Sequence, residues 1–300
     1  MKILLIGFYG EGNLGDEAIL KSIKSNIPTP ATLYVTAGKN YCEKDGILRR
    51  GILSWSQFIK TAINCDKAIL SGGILQDWTT EGVLFFALRI FASSILKCKP
   101  SLWGAGIGPL RSKPLISITK KALKHLECAW LRDEKSLNLY KSLNGHNVNY
   151  GTDWTWYYQA CSSKTIKSNQ VMVNIRPWKY GSEHNFDDIN LKDIKSKTLI
   201  GVSARNEDNN ELLKTFPGIS IYQPENYEKL LSFCLNYNNG IAMRYHVALA
   251  MLRTGVKTTL IPYDSKVSEL CKAQKNLNKF LYDNHIRFNN MQKEFKTFLA

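Results

Sequence analysis

The sequence predicts an α/β protein of two similar-sized domains with a cleft between them. Three observations carry this expectation. Short apolar runs alternate with helical segments along the chain. The runs are continuous rather than alternating apolar with polar, as strands of a parallel sheet buried on both faces require. The alternation breaks once, in a polar stretch at 161–169. A chain of 300 residues also fits the rule of about one domain per ~150 residues.

The elements follow in order. Lys2 to Phe8 reads as a buried first strand; its apolar run is too short for a secretory leader and lacks a small-residue cleavage site. After a glycine-rich turn, Ile19, Leu20, Ile23 and Ile27 recur at helical spacing. Thr32 to Thr36 and Ala68 to Leu70 are further strands, the second ending in Ser71-Gly72-Gly73. Val83 to Leu96 is a helix, nearly all apolar, interrupted by Arg89 and too short to span a bilayer. Strands at Ser101 to Gly104 and Ala129 to Leu131 complete an amino-terminal domain, 1–160. Beyond a linker at 161–169, strands are expected at Val171 to Ile175, Thr198 to Val202, Ile219 to Tyr222, Gly240 to Met243 and Lys257 to Ile261. Helices at Tyr227 to Leu235 and His246 to Leu252 fall between them, giving a carboxyl-terminal domain, 170–300.

Composition narrows the class. A hydrophobic fraction of 44% and a charged fraction of 22% exclude a disordered, collagen-like or disulfide-scaffold chain. The seven cysteines form no CxxC pair, which points to a reducing cytosol without a zinc or disulfide framework. Lys and Arg number 40 against 25 Asp and Glu, a formal charge of +15 that favours anionic partners. The basic residues are spread out, Lys120-Lys121 being the one adjacent pair singled out.

Three glycine-rich strand ends in the first half suit a ligand-lined edge, because ligands of open α/β sheets lie beyond the carboxyl ends of the strands. Gly10-Glu11-Gly12-Asn13-Leu14-Gly15 matches the G-x-G-x-x-G pattern between strand and helix. Val35 and Thr36 stand where a dinucleotide site would place a ribose-binding acid, and Asp16-Glu17 would repel a pyrophosphate. Gly12, Asn13, Asp16 and Glu17 therefore suit a neutral polyhydroxyl ligand. Gly72 and Gly73 allow close backbone approach, Gln76 and Asp77 can bond hydroxyls, and Gly106 repeats the pattern at the next strand. Arg132 pairs with Asp133 locally or faces the cleft.

In the second half, Pro177 keeps Arg176 extended at a strand end. Arg244-Tyr245-His246 ends another strand and opens a helix, where the dipole favours a neutral, proton-accepting imidazole. Arg176, Arg244 and the helix amides can together hold a small anion bearing phosphate and carboxylate. His125, His146, His184 and His285 have no comparable setting. No G-x-S-x-G, H-E-x-x-H or D-x-D pattern supports a serine hydrolase or a metal site.

These residues resemble the polysaccharide pyruvyl transferase family. The resemblance runs through 10–18, 71–77 and 106–109, then Arg132 to Ser136, Arg176-Pro177-Trp178, Arg244-Tyr245-His246 and Tyr263 to Val267. It implies a GT-B-like fold of two Rossmann-like domains with a central cleft. It implies phosphoenolpyruvate as donor, with no other cofactor, and a sugar of a cell-envelope polysaccharide or its lipid-linked precursor as acceptor. Arg244 and His246 would bind the donor and support catalysis, with Arg176 alongside, and the amino-terminal loops would face the acceptor. The chain departs from the family pattern at Ser71, Tyr245 and Asp153-Trp154, and 204–216 aligns with nothing in it. A cytoplasmic enzyme is expected, touching the inner face of an anionic membrane if its acceptor is lipid-linked. The rival readings are a GT-B glycosyltransferase using a nucleotide sugar and, from another class, a non-enzymatic binder of nucleic acid or acidic membrane. Nucleic acid is not expected, since no basic stripe interleaved with aromatics is present.

Overall fold

The computed structural model describes residues 1–160, 168–178 and 198–300. Most of the expected linker, 161–167, lies outside the described residues, as do Cys161 and His184; Ser168 and Asn169 belong to a strand instead. The chain divides into two compact units. Unit 1 comprises Met1–Glu11, Ile19–Trp156 and Asn284–Ala300, and unit 2 comprises Gly12–Ala18 and Tyr157–Asp283. Two segments thus depart from a contiguous division: 12–18 counts with unit 2, and 284–300 with unit 1.

The first elements are β1 (Lys2–Tyr9), α1 (Leu14–Asn26), β2 (Thr32–Ala37), β3 (Gly46–Leu48), α2 (Ile52–Ala62) and β4 (Lys67–Ile74). They are followed by α3 (Thr80–Ile95), β5 (Lys99–Ile107), α4 (Lys113–Leu123), β6 (Ala129–Leu131), α5 (Glu134–Ser142) and β7 (Val148–Tyr150). The strands form one seven-stranded sheet in the order β3-β2-β1-β4-β5-β6-β7, every pairing parallel. Its order reverses between β1 and β4, the switch point where doubly wound sheets open a crevice. β1 explains why the sheet is central. Leu4 and Ile6 point to one face and Ile3 and Leu5 to the other, all fully buried. On the first face Phe58, Phe86, Ile90 and Leu123 of α2, α3 and α4 cover the sheet. On the second face Ile19 and Ile23 of α1 pack with Trp103 and Trp154.

Unit 2 holds β8 (Ser168–Asn174), β9 (Leu199–Val202), α6 (Asn206–Thr215), β10 (Ser220–Tyr222), α7 (Tyr227–Cys234) and β11 (Tyr237–Ala242). After these come α8 (Tyr245–Arg253), β12 (Lys257–Leu260), α9 (Ser265–Ala273) and the long α10 (Leu277–Leu299). The five strands pair in parallel in the order β10-β9-β8-β11-β12. The switch point lies between β8 and β11. Asn174, fully buried at the end of β8, clasps it: its Oδ1 accepts from the Arg244 N–H at 2.9 Å and its Nδ2 donates to the Val202 carbonyl at 2.8 Å. The α8 residues Val247 to Leu252 are all buried, which anchors the helix that follows β11. The carboxyl-terminal part of α10 belongs to unit 1, where Met291, Phe295 and Leu299 join the second face of the core. Among the described residues no helix is long and apolar enough to cross a membrane.

Candidate active site

The residues expected to act together divide between the units. Arg176, Arg244, His246, Gly12, Asn13, Asp16 and Glu17 are in unit 2; Gly72, Gly73, Gln76, Asp77 and Gly106 are in unit 1.

In unit 2 the two strands flanking the switch point deliver the arginines. Arg176 follows β8, and Arg244 follows β11 as the residue capping α8. Arg244 is buried and held from below by a carboxylate. Its Nε donates to both oxygens of Asp208 at 2.9 and 2.7 Å, and its Nη2 reaches Glu207 at 2.7 Å. Asp208 is fully buried and also accepts from the Ala204 N–H at 3.1 Å. Arg244 is thus ion-paired within the protein by both acids. Arg205 and Arg176 approach the same Glu207 oxygen at 3.6 and 3.7 Å. Burial alone would raise the Glu207 pKa, but the Arg244 hydrogen bond and the charges of Arg205, Arg244 and Arg176 outweigh it and hold the group below the ordinary value of 4.5. Three guanidinium groups thus exceed two carboxylates by one charge.

Arg176, like Arg205, is partly exposed. It donates to the Tyr263 hydroxyl at 3.3 Å and lies 5.2 Å from the ring centroids of both Trp178 and Tyr263. Its Nε is buried and has no hydrogen-bond partner among the described residues. Burial and the neighbouring Asp264 push the Tyr263 hydroxyl up to about 12, so it stays protonated near neutrality.

His246 lies in the first turn of α8, and its ring sits directly on Gly15. A Cβ built at Gly15 would come within 1.8 Å of the imidazole Nδ1. The third glycine of the amino-terminal pattern therefore makes room for a histidine far along the chain. The surrounding turn is ordered by its own contacts: Asn13 donates to the Asp16 carboxylate, its carbonyl accepts from the Glu17 N–H at 3.0 Å, and the Leu14 N–H donates to Ala204 at 3.0 Å. Asp16 is buried, while Gly12 is exposed.

Unit 1 has a pocket of about 170 Å³ beyond the carboxyl ends of β1 and β4. Gly73 and Gln76 line it with Phe8, Arg49, Trp78 and Phe85. The Gln76 Nε2 is buried there without a hydrogen-bond partner among the described residues. Gly72, at the bulge between β4 and β5, has φ +82°, a conformation that favours glycine. The Asp77 Oδ2 accepts from the Arg111 N–H and from the Ser112 N–H at 2.9 Å, tying down the loop before α4, while its buried Oδ1 has no hydrogen-bond partner among the described residues. Beside Gly106 lies Arg132, whose Nε would stand 2.6 Å from an added Cβ. Arg132 is buried in an ion pair with Asp153 at 2.9 Å. Gly104 and Gly108 are likewise taken up by Trp154 and Leu139.

Sequence reasoning missed Arg205, Glu207 and Asp208 in unit 2, and Phe8, Arg49 and Trp78 in unit 1; it named Tyr263 only as part of a motif, without a role. The acid-rich 204–216 stretch shows no pattern of its own. The Arg49-Arg50 pair was the one available signal, and it was passed over. Among the described residues no three His, Cys, Asp or Glu side chains are grouped to hold a metal ion.

The sequence profile of the polysaccharide pyruvyl transferase family matches residues 13–265. No curated protein sequence matches the chain. Among solved structures it is similar to a UDP-GlcNAc 2-epimerase from Methanocaldococcus jannaschii in complex with UDP-GlcNAc and UDP, at 14% identity, 92% of each chain and a TM-score of 0.53. It is also similar to a putative UDP-N-acetylglucosamine 2-epimerase from Listeria monocytogenes, at 10% identity, 98% of this chain, 90% of that chain and a TM-score of 0.54. At such identities the likeness concerns the fold, which is of the GT-B-like α/β class.

Proposed function

Because this chain belongs to the polysaccharide pyruvyl transferase family, we propose that it moves the pyruvyl group of phosphoenolpyruvate onto a sugar of a cell-surface polysaccharide or its lipid-linked precursor, closing a ketal. The observation that carries this reading is the arginine group at the switch point of the unit 2 sheet, where Arg176, Arg205 and Arg244 meet on one Glu207 oxygen. A small trianion with phosphate and carboxylate is the ligand such a surplus of guanidinium groups suits. In this reading the donor replaces Glu207 as counter-ion of Arg176 and Arg205. Arg244, fixed by Asp208, holds the positive field in place, and the Arg176 Nε supplies an unused donor.

The chemistry balances as follows. C3 of the enol ester takes one proton while a sugar hydroxyl adds to C2 and releases its own. The C2–O bond to phosphate then breaks with its electron pair, and inorganic phosphate leaves. A neighbouring hydroxyl adds to C2, loses its proton and closes the ketal. Arg176 and Arg244 stabilise the departing phosphate, and His246 carries a proton, a role worth about 10²–10⁴-fold. Gly12, Asn13, Asp16 and Glu17 contribute to the same unit 2 site. Gly73 and Gln76, with Trp78 and Phe8, line the pocket read here as holding the sugar acceptor, since aromatic faces beside hydrogen-bonding groups suit a polyhydroxyl ring. No cofactor beyond the co-substrate is invoked. The donor is made inside the cell, so the reading carries a cytoplasmic location.

The test is mass spectrometry of simple glycosides incubated with the enzyme and phosphoenolpyruvate, with nucleotide sugars in parallel. A glycoside gaining one pyruvate ketal, with stoichiometric phosphate release, is the expected result. Glycosyl transfer from a nucleotide sugar, with phosphoenolpyruvate left intact, would overturn it in favour of a glycosyltransferase.

A further inference from the structure

A helix covering a parallel sheet normally turns a charged face to solvent. α3 does not. Beyond its first turn its exposed residues are Leu88 and Ile95, 43% and 75% exposed; Leu84, Phe91 and Ala92, half-buried against the core, continue the apolar stripe, and Ser94 is the one polar residue beside it. The neighbouring helix α2 adds Ile59, 41% exposed, and Ile63 just past its end, 59% exposed, among the polar Ser56, Gln57 and Lys60. The two lie side by side: Arg89 of α3 is 4.7 Å from the Trp55 ring and 5.2 Å from the Phe58 ring of α2. On the side of α4, Phe91 of α3 meets His125, two residues past the end of α4, ring to ring at 5.0 Å.

All three helices cross between parallel strands, so their carboxyl ends gather at one end of unit 1. Exposed lysines stand there beside the apolar side chains: Lys60, Lys97, Lys121 and Lys124. The three helices contain a single acid, Glu81, at their opposite end and 3.6 Å from Arg50. The two acids near the lysines are engaged, Asp66 with the Lys2 N–H at 2.7 Å and Glu127 with Lys99 at 3.7 Å.

We propose that this face of unit 1 is a peripheral membrane-docking surface for an anionic bilayer. Ile63, Leu88 and Ile95 enter the boundary between headgroups and acyl chains, and the lysine cluster meets the headgroup phosphates. Charge selects this occupant over a second copy of the chain. A two-fold contact through the same face would set its lysines against each other with no acids to answer them. The inference does not rest on the identity of the donor or the acceptor.

Sedimentation of the full chain with vesicles tests it. Vesicles of phosphatidylcholine containing phosphatidylglycerol should capture the protein, and phosphatidylcholine alone should not. The double variant Leu88→Asp with Ile95→Asp, and separately Lys121→Glu with Lys124→Glu, should each lower the bound fraction about tenfold or more while leaving the thermal unfolding midpoint unchanged. Because all four side chains are solvent-facing, folding is expected to survive, and Lys121→Gln with Lys124→Gln serves as the milder second variant. The proposal is overturned if the wild-type chain ignores anionic vesicles, if the aspartates leave its binding unaltered, or if they dissociate a dimer that never bound vesicles.

Discussion

At the scale of single residues, the candidate site is governed by two contacts, each with a clear test. Gly15 carries no Cβ because the His246 ring occupies that space. Gly15→Ala should push the imidazole out of place and lower turnover by about 10²-fold or more, with the circular dichroism spectrum unaltered. Near-normal turnover would show that the ring position does not matter. Asp208 is the buried counter-ion of Arg244. Asp208→Asn removes the fully buried partner of that cation, leaving the half-exposed Glu207 as its remaining carboxylate, and should cost about 3 kcal/mol, read from urea unfolding; a loss below about 1 kcal/mol would contradict the pairing. Glu207 adds a pH dependence. Its folded pKa is depressed below 4.5, so its contribution is complete above that value and disappears as pH falls through the lower folded value. The midpoint of unfolding should therefore drop in that acid window, and Glu207→Gln should flatten the drop. An unaltered profile in the variant would remove Glu207 as its source.

At the scale of elements, α3 combines an outward apolar stripe with one buried charge. Arg89 is 2% exposed, donates to the carbonyls of Phe85 and Arg49 at 3.2 Å each, and stacks 3.8 Å from the Phe85 ring. Burial and the nearby Arg49 charge lower its pKa to about 10. That charge opposes folding at neutral pH, whereas the side-chain stem and stacked plane support it. Arg89→Ala should lose the packing and cost about 2–4 kcal/mol. Arg89→Met keeps most of the volume without the charge and should stay within about 1 kcal/mol of the wild type or exceed it. Equal losses in both variants, measured by chemical denaturation, would show that the charge itself stabilises the helix.

At the scale of the whole molecule, the carboxyl-terminal part of α10 completes unit 1. Phe288, Met291, Phe295 and Leu299 are buried against the sheet face that holds Trp103 and Trp154. Each such side chain contributes about 1.5–3 kcal/mol, so together they rival the ~5–15 kcal/mol that holds a typical domain folded. A chain ending at Asp283 should unfold unit 1, seen as a red shift of tryptophan emission, while unit 2 keeps a cooperative transition. A single, wild-type-like transition in the truncated chain would contradict this division of the core.

Much of this architecture was legible from the chain. The parallel strands announced themselves as continuous apolar runs, and β1, β2, β6, β9 and β10 lie within a residue or two of their expected places. β3 and β7 were missed, since three-residue edge strands carry too little apolar pattern. So was α10, whose apolar residues are spaced for one narrow buried stripe along a polar helix. By itself, then, the sequence determined the α/β class, the two sheets, the family, and the strand ends carrying Arg176, Arg244 and His246, because these follow from local periodicity and short motifs. Only the tertiary structure decided that Glu207 and Asp208 bind the arginines, that Gly15 seats His246, that Arg132 lies beside Gly106, and that the final helix completes unit 1. Those outcomes depend on side chains remote in sequence competing for the same buried space and charge, which no local pattern records.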